Sequence, residues 1–73
     1  MDTNFGVETV IQKISDVRTA QEMIEKLSAI GLSPTSMVYK QIMAVLERRA
    51  QVERLYGVNH ENTILELRNI KVK

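Results

Sequence analysis

Seven residues, Gly31-Leu32-Ser33-Pro34-Thr35-Ser36-Met37, constrain this chain more than any others, because they set a helix stop and a helix start almost end to end. Glycine takes the left-handed conformation that closes a helix. A serine side chain accepts the N–H groups left over at a helix start, and proline suits a first turn, where its missing N–H costs nothing. The segment predicts that Gly31 closes one helix, Ser33 caps the next and Pro34 opens it, with Leu32 and Met37 as a hydrophobic staple across the cap. A tight two-helix corner follows.

The apolar residues on either side keep helical spacing. Val7, Val10, Ile11 and Ile14 recur at i, i+3, i+4 and i+7, which predicts a first helix over about residues 4 to 15. Thr19-Ala20-Gln21-Glu22 has capping-box spacing and opens a second helix, over 19 to 30, that faces Ala20, Met23, Ile24, Leu27 and Ile30 inward. The third and longest helix is expected from 34 to 56, ended by Gly57. In its first half, Val38, Ile42 and Val45 point one way while Tyr39, Met43 and Leu46 are rotated from them. A helix that is apolar on most sides has to be covered on most sides. Two short helices cover one flank, so a second subunit or another partner is expected on part of the other. The second half of this helix, with only a narrow apolar seam, is expected to project from the core or to lie along a twin. Residues 60 to 70 suit a short helix capped by Asn59 or Asn62, although Ile70-Lys71-Val72-Lys73 alternates as a strand does.

A chain of 73 residues is one domain at most. Such a domain buries only about 60% of the surface of its unfolded chain, so its stability alone is marginal. With no cysteine, neither disulfides nor thiolate metal ligands are available, which leaves self-association as the common remedy. The expected fold is therefore an all-α domain of three to four helices with a long central third helix, as an intertwined or side-by-side homodimer. The N-terminus lacks the basic and apolar regions of a signal peptide, and no apolar run approaches the roughly 18 residues of a membrane span. A cytoplasmic protein without membrane contact is expected, and a start at Met1 with no tag or linker reads as a complete small open reading frame.

Chemistry-bearing constellations are sparse. His60 is the only histidine, and without a second histidine or a cysteine it reads as a polar loop or first-turn residue rather than a zinc ligand or triad member. Glu22 with Glu25, or Glu61 with Glu66, lie in helix-forming contexts and not in an evident pocket that would tune a general acid. No enzyme, metal or cofactor is expected. Met23, Met37 and Met43 each fall on an apolar stripe, which suits core packing. Charge is uneven. Residues 1 to 36 carry three basic and five acidic side chains, giving −2, whereas residues 37 to 73 carry seven and four, giving +3. This is too mild for the basic footprint of a dedicated nucleic-acid binder. The densest cluster, Glu47-Arg48-Arg49-Ala50-Gln51-Val52-Glu53-Arg54, contains an i, i+4 pair, Arg49 with Glu53, and reads first as a solvated helix face.

These features favour a small regulatory or adaptor protein that acts through protein–protein binding. Tyr39, Met43 and Leu46 are the expected partner or dimer seam, and Arg48, Arg49 and Arg54 the charged contacts at its rim.

Three resemblances accompany this reading. Gly31 to Met37 resembles the turn and recognition-helix start of bacterial helix-turn-helix regulators, which implies an alternative function as a DNA-binding regulator with Ser33, Thr35, Ser36, Lys40 and Gln41 facing the groove. Leu27 and Lys40 stand where that motif carries a small and an apolar residue. Ala20, Met23, Leu27, Gly31, Pro34, Tyr39, Ile42 and Leu46 are spaced like the landmarks of a pentatricopeptide repeat, and Val7/Ile42, Ile11/Leu46 and Val17/Val52 are each 35 apart. That likeness implies an RNA-binding helical hairpin, with Thr35 and Lys40 near its base-reading positions. Leu32-Ser33, Ala44 and Arg48-Arg49-Ala50 are similar in spacing to the Hha/YmoA class of small enterobacterial nucleoid modulators, which implies binding to a DNA-associated protein. The three point in different directions, and none supplies a family.

Overall fold

The computed structural model describes residues 6–70, which form four α-helices, α1 (Val7–Ile14), α2 (Ala20–Ala29), α3 (Met37–Tyr56) and α4 (His60–Arg68). The part of the first helix expected before residue 6, and the alternating end Lys71-Val72-Lys73, lie outside the described residues. The fold class is the expected one, a small all-helical domain built around a long third helix, and no strand occurs among the described residues.

Helices α2, α3 and α4 each begin where a side chain takes up a spare donor, whereas α1 starts after Gly6 without a side-chain cap. Thr19 Oγ1 accepts the N–H of Glu22 at 3.1 Å, while the Glu22 carboxylate accepts the N–H of Arg18 at 3.1 Å, so the capping box closes one residue earlier than its usual form. Asn59 caps α4 by accepting the N–H of Asn62 at 3.2 Å. Of the two readings open for residues 60 to 70, helix or extended, His60–Arg68 is helical, with Asn59 rather than Asn62 as the cap.

The start of α3 differs from expectation. Ser33-Pro34-Thr35-Ser36 is a β-turn closed by the Ser36 N–H on the Ser33 carbonyl at 2.9 Å, with proline at the second position that its fixed φ favours. Ser33 spends its hydroxyl inside this turn, 2.8 Å from the Thr35 hydroxyl and accepting the Thr35 N–H at 3.2 Å. Ser36 becomes the cap, accepting the N–H of Tyr39 at 3.5 Å, and the helix begins at Met37. Two serines competed for one role, and a turn primed by proline gave it to the second. The Leu32–Met37 staple does not form, because Met37 is now the first helical residue and 54% exposed. Gly31 has φ 98°, as a residue that stops α2 should.

The core consists of Val10, Ile11 and Ile14 from α1, Ala20, Met23 and Leu27 from α2, Ile42 and Leu46 from α3, and Leu67 from α4. Three contacts fix how the helices lie. Ala20 meets Glu53, Thr63 meets Arg49, and Glu8 meets Arg68 at 3.5 Å. The start of α2 therefore lies beside the end of α3, and the start of α4 beside the second half of α3. The start of α1 lies beside the end of α4. Ile42 and Leu46 form the buried line of α3, and Val38 and Val45 on one side and Tyr39 and Met43 on the other pack against the same core. The two apolar stripes are flanks of one buried line, and this chain covers both. The expected surplus on the first half of α3 is corrected accordingly, since α4 supplies cover that two short helices alone would not.

Candidate functional site

The second half of α3 is anchored rather than projecting. Glu53 Oε2 accepts the N–H of Ala20 at 2.8 Å, placing a carboxylate at the positive end of α2. On the opposite flank, Arg48 pairs with Glu66 of α4. Arg49, whose side chain is only 13% exposed, directs Nε toward Thr63 Oγ1 at 3.3 Å and lies 3.4 Å from Glu66 Oε1, within ion-pair range but not aligned as a hydrogen bond. Thr63 is the one fully buried polar side chain among the described residues, and it also donates to the Asn59 carbonyl at 3.1 Å. Its hydroxyl is satisfied in both roles.

These contacts reassign most of the expected seam. Leu46 is fully buried in the core and cannot meet a partner. Tyr39 and Met43 are half-buried against that core. Arg48 and Arg49 converge on Glu66 and fasten α4 to α3, so the expected Arg49–Glu53 pair is replaced by two contacts between helices. Arg54 is exposed beside Gln51 and Leu55, and Arg48, although paired, is 62% exposed. Of the alternative DNA-facing set, Ser33, Thr35, Lys40 and Gln41 are exposed, and Ser36 is half-buried and committed to its cap.

Exposed apolar surface gathers elsewhere. Leu55 (75%), Tyr56 (82%), Val58 (58%) and Leu65 (59%) stand in solvent around the turn from α3 to α4. Gly57 makes that turn possible with φ 97° and ψ 166°, a conformation essentially restricted to glycine. Two surface hollows open beside it and share His60 as a wall. One, of about 330 Å³, is lined by His60, Glu61, Ile64 and Leu65. The other, of about 460 Å³, runs between the α1–α2 connection and this turn, lined by Ser15, Asp16, Val17, Arg18, Val58 and His60. His60 is half-buried at the first position of α4, and its Nδ1 is buried without a hydrogen-bond partner. On the far wall Asp16 is held by Lys26 at 2.6 Å, a hydrogen bond that lowers the carboxyl pKa below its ordinary value.

Sequence spacing had a signal for part of this corner. Leu65 lies two residues from both Thr63 and Leu67, on the opposite face of α4 from them, so a helix that buries that pair must expose Leu65. No group of three metal-ligating side chains exists among the described residues. Both hollows are open depressions, the first with a mostly apolar lining and the second lined by polar and charged side chains together with Val17 and Val58. No helix among the described residues is long and apolar enough to cross a membrane. No known protein family, curated protein or solved structure matches this chain.

Proposed function

We propose that this protein is a small non-enzymatic regulatory or adaptor module that works by binding another protein through the corner between α3 and α4. The observation that carries this reading is the gathering of four large exposed apolar side chains, Leu55, Tyr56, Val58 and Leu65, around one turn with two open hollows beside it. Tyrosine and arginine dominate the centres of protein interfaces, and Tyr56 with Arg54 supplies both here. Exposed apolar surface in one place is costly to keep unless something covers it. Of the charged rim expected from Arg48, Arg49 and Arg54, the first two pair with Glu66, and this reading uses Arg54 with Glu61 on the other side of the turn.

The second reading is a DNA-binding regulator that uses Ser33, Thr35, Ser36, Lys40 and Gln41. Lys40 is the one cation in that set; Ser33 and Thr35 share one hydroxyl–hydroxyl bond within the turn, and the Ser36 oxygen accepts at the cap. Phosphate contacts draw on positive charge, and one cation gives this reading less support.

A photoreactive residue placed at Leu65 or at Lys40 of the protein in its host cell separates the two. Protein adducts from Leu65, with none to nucleic acid from Lys40, are expected. Nucleic-acid adducts from Lys40 with no protein adduct from Leu65 would overturn the proposal.

A further inference from the structure

We infer that α4 is a strap fastened by charge, released about Gly57 as one unit while α1, α2 and α3 stay folded, and that its release uncovers the apolar surface of α1 and α3 beneath Leu67. The inference goes beyond the binding role proposed above and does not depend on it. Three observations carry it.

The first is how little apolar anchorage α4 has. It buries one apolar side chain completely, Leu67, with Ile64 half-buried and Ile70 packed just past its end. By contrast, α1 buries Val10, Ile11 and Ile14, and α2 buries Ala20, Met23 and Leu27. Burial of apolar surface is the main favourable term in folding, so the helix with the least of it is the one that opens at the lowest cost.

The second is what holds it instead. Of the four ion pairs among the described residues, three run to α4, where Arg48 and Arg49 both reach Glu66 and Glu8 reaches Arg68. Apart from Arg49, these side chains stand at least partly in solvent, where a pair contributes little and salt screens it. Glu66 Oε1, beside Arg49, is buried without a hydrogen bond, and the Arg49 bond to Thr63 is long at 3.3 Å.

The third is the hinge. Gly57, Val58 and Asn59 join α3 to α4, and all three are exposed. Gly57 has neither a side chain nor any atom within 4 Å of the place a Cβ would take, so its φ and ψ can change without collision.

Native-state amide hydrogen exchange of the full chain, followed by NMR at several urea concentrations below the unfolding transition, tests the inference. A helix of nine residues is marginal in water once released, so its amides then exchange. The amides of Leu65, Glu66 and Leu67 are expected to share one opening, with protection roughly tenfold or more below that of Leu27 and Leu46. That protection should fall as urea rises, which marks exposure of surface rather than fraying. Glu66→Gln removes the charge that both arginines meet and should lower α4 protection roughly tenfold. Raising salt on the unaltered protein screens the exposed pairs and should lower it in the same direction. Glu53→Ala weakens the contact of α3 with α2 and removes no hydrogen bond or ion pair to α4. It should lower protection at Leu27 and Leu46 roughly tenfold and leave α4 within about twofold. Amides of α4 that match Leu27 and Leu46 in protection, or that fall together with them in Glu53→Ala, would mean that α4 opens only with the whole fold and would overturn the inference. So would protection of α4 that is indifferent to both Glu66→Gln and salt.

Discussion

The carboxylate of Glu53 accepts the backbone N–H of Ala20 at 2.8 Å across 33 residues, so the last turns of α3 cap the first turn of α2. The bond places negative charge where the helix dipole favours it and satisfies a donor that has no partner within its own helix.

Removing that acceptor should therefore be costly where an ordinary surface carboxylate is not. Glu53→Ala is expected to lower unfolding free energy by about 1–2 kcal/mol, a typical loss for a cap. Glu47→Ala, on the exposed side of the same helix, should change it by less than about 0.5 kcal/mol. Urea titrations of the two variants check the contrast.

Thr63 gives a sharper test of the contact between α3 and α4. Thr63→Val keeps the shape of the side chain but leaves the part-buried Arg49 Nε–H without its acceptor at 3.3 Å. A loss of about 1–3 kcal/mol is expected. A double-mutant cycle with Arg49→Met should return part of it, because the donor is then gone as well.

The two serines near the start of α3 separate cap from turn. Ser36→Ala should cost about 1 kcal/mol, since Ser36 holds the Tyr39 N–H. Ser33→Ala should cost less, because it removes contacts only within an exposed turn. Had Ser33 been the cap, the order would reverse. Thermal denaturation of both variants decides it.

At Gly57 the constraint is the backbone alone. No atom lies within 4 Å of an added Cβ, yet φ is 97°, so Gly57→Ala should cost about 1–3 kcal/mol through conformation rather than clash. The variant should also disturb the corner that the turn shapes.

The lowered pKa of Asp16 sets a sign for acid behaviour. A carboxyl whose folded pKa lies below its unfolded one contributes stability that is present above the unfolded value and is lost as pH falls through the folded one. The cause is the hydrogen bond from Lys26, so Lys26→Met should return the Asp16 midpoint toward its ordinary value. Carbon-detected NMR titration of the Asp16 carboxyl reads this directly.

Much of the fold was legible because it depended on local rules. Val10, Ile11, Ile14, Ala20, Met23 and Leu27 declared their buried faces by helical spacing, and Thr19, Gly31, Gly57 and Asn59 announced helix ends by residue type. Where the reading departed, two local signals competed or a distant partner decided. Ser33 and Ser36 both had the chemistry of a cap, and only the turn around Pro34 favoured the second. Arg49 and Glu53 have the spacing of a helical pair, yet Thr63 and Ala20, far along the chain, claimed them. Leu46 looked like excess surface because the cover provided by α4 depended on whether residues 60 to 70 were helical at all. The corner itself was harder to see, since Leu55, Tyr56 and Leu65 are ordinary helical residues until the packing shows which faces remain uncovered.

The most direct measurement is photocrosslinking in the host cell from a photoreactive residue at Tyr56 or Leu65, with Lys40 as the comparison position. Protein adducts from Tyr56 and Leu65, and no nucleic-acid adduct from Lys40, are predicted. Nucleic-acid adducts from Lys40 with no protein adduct from Tyr56 or Leu65 would contradict a protein-binding corner between α3 and α4.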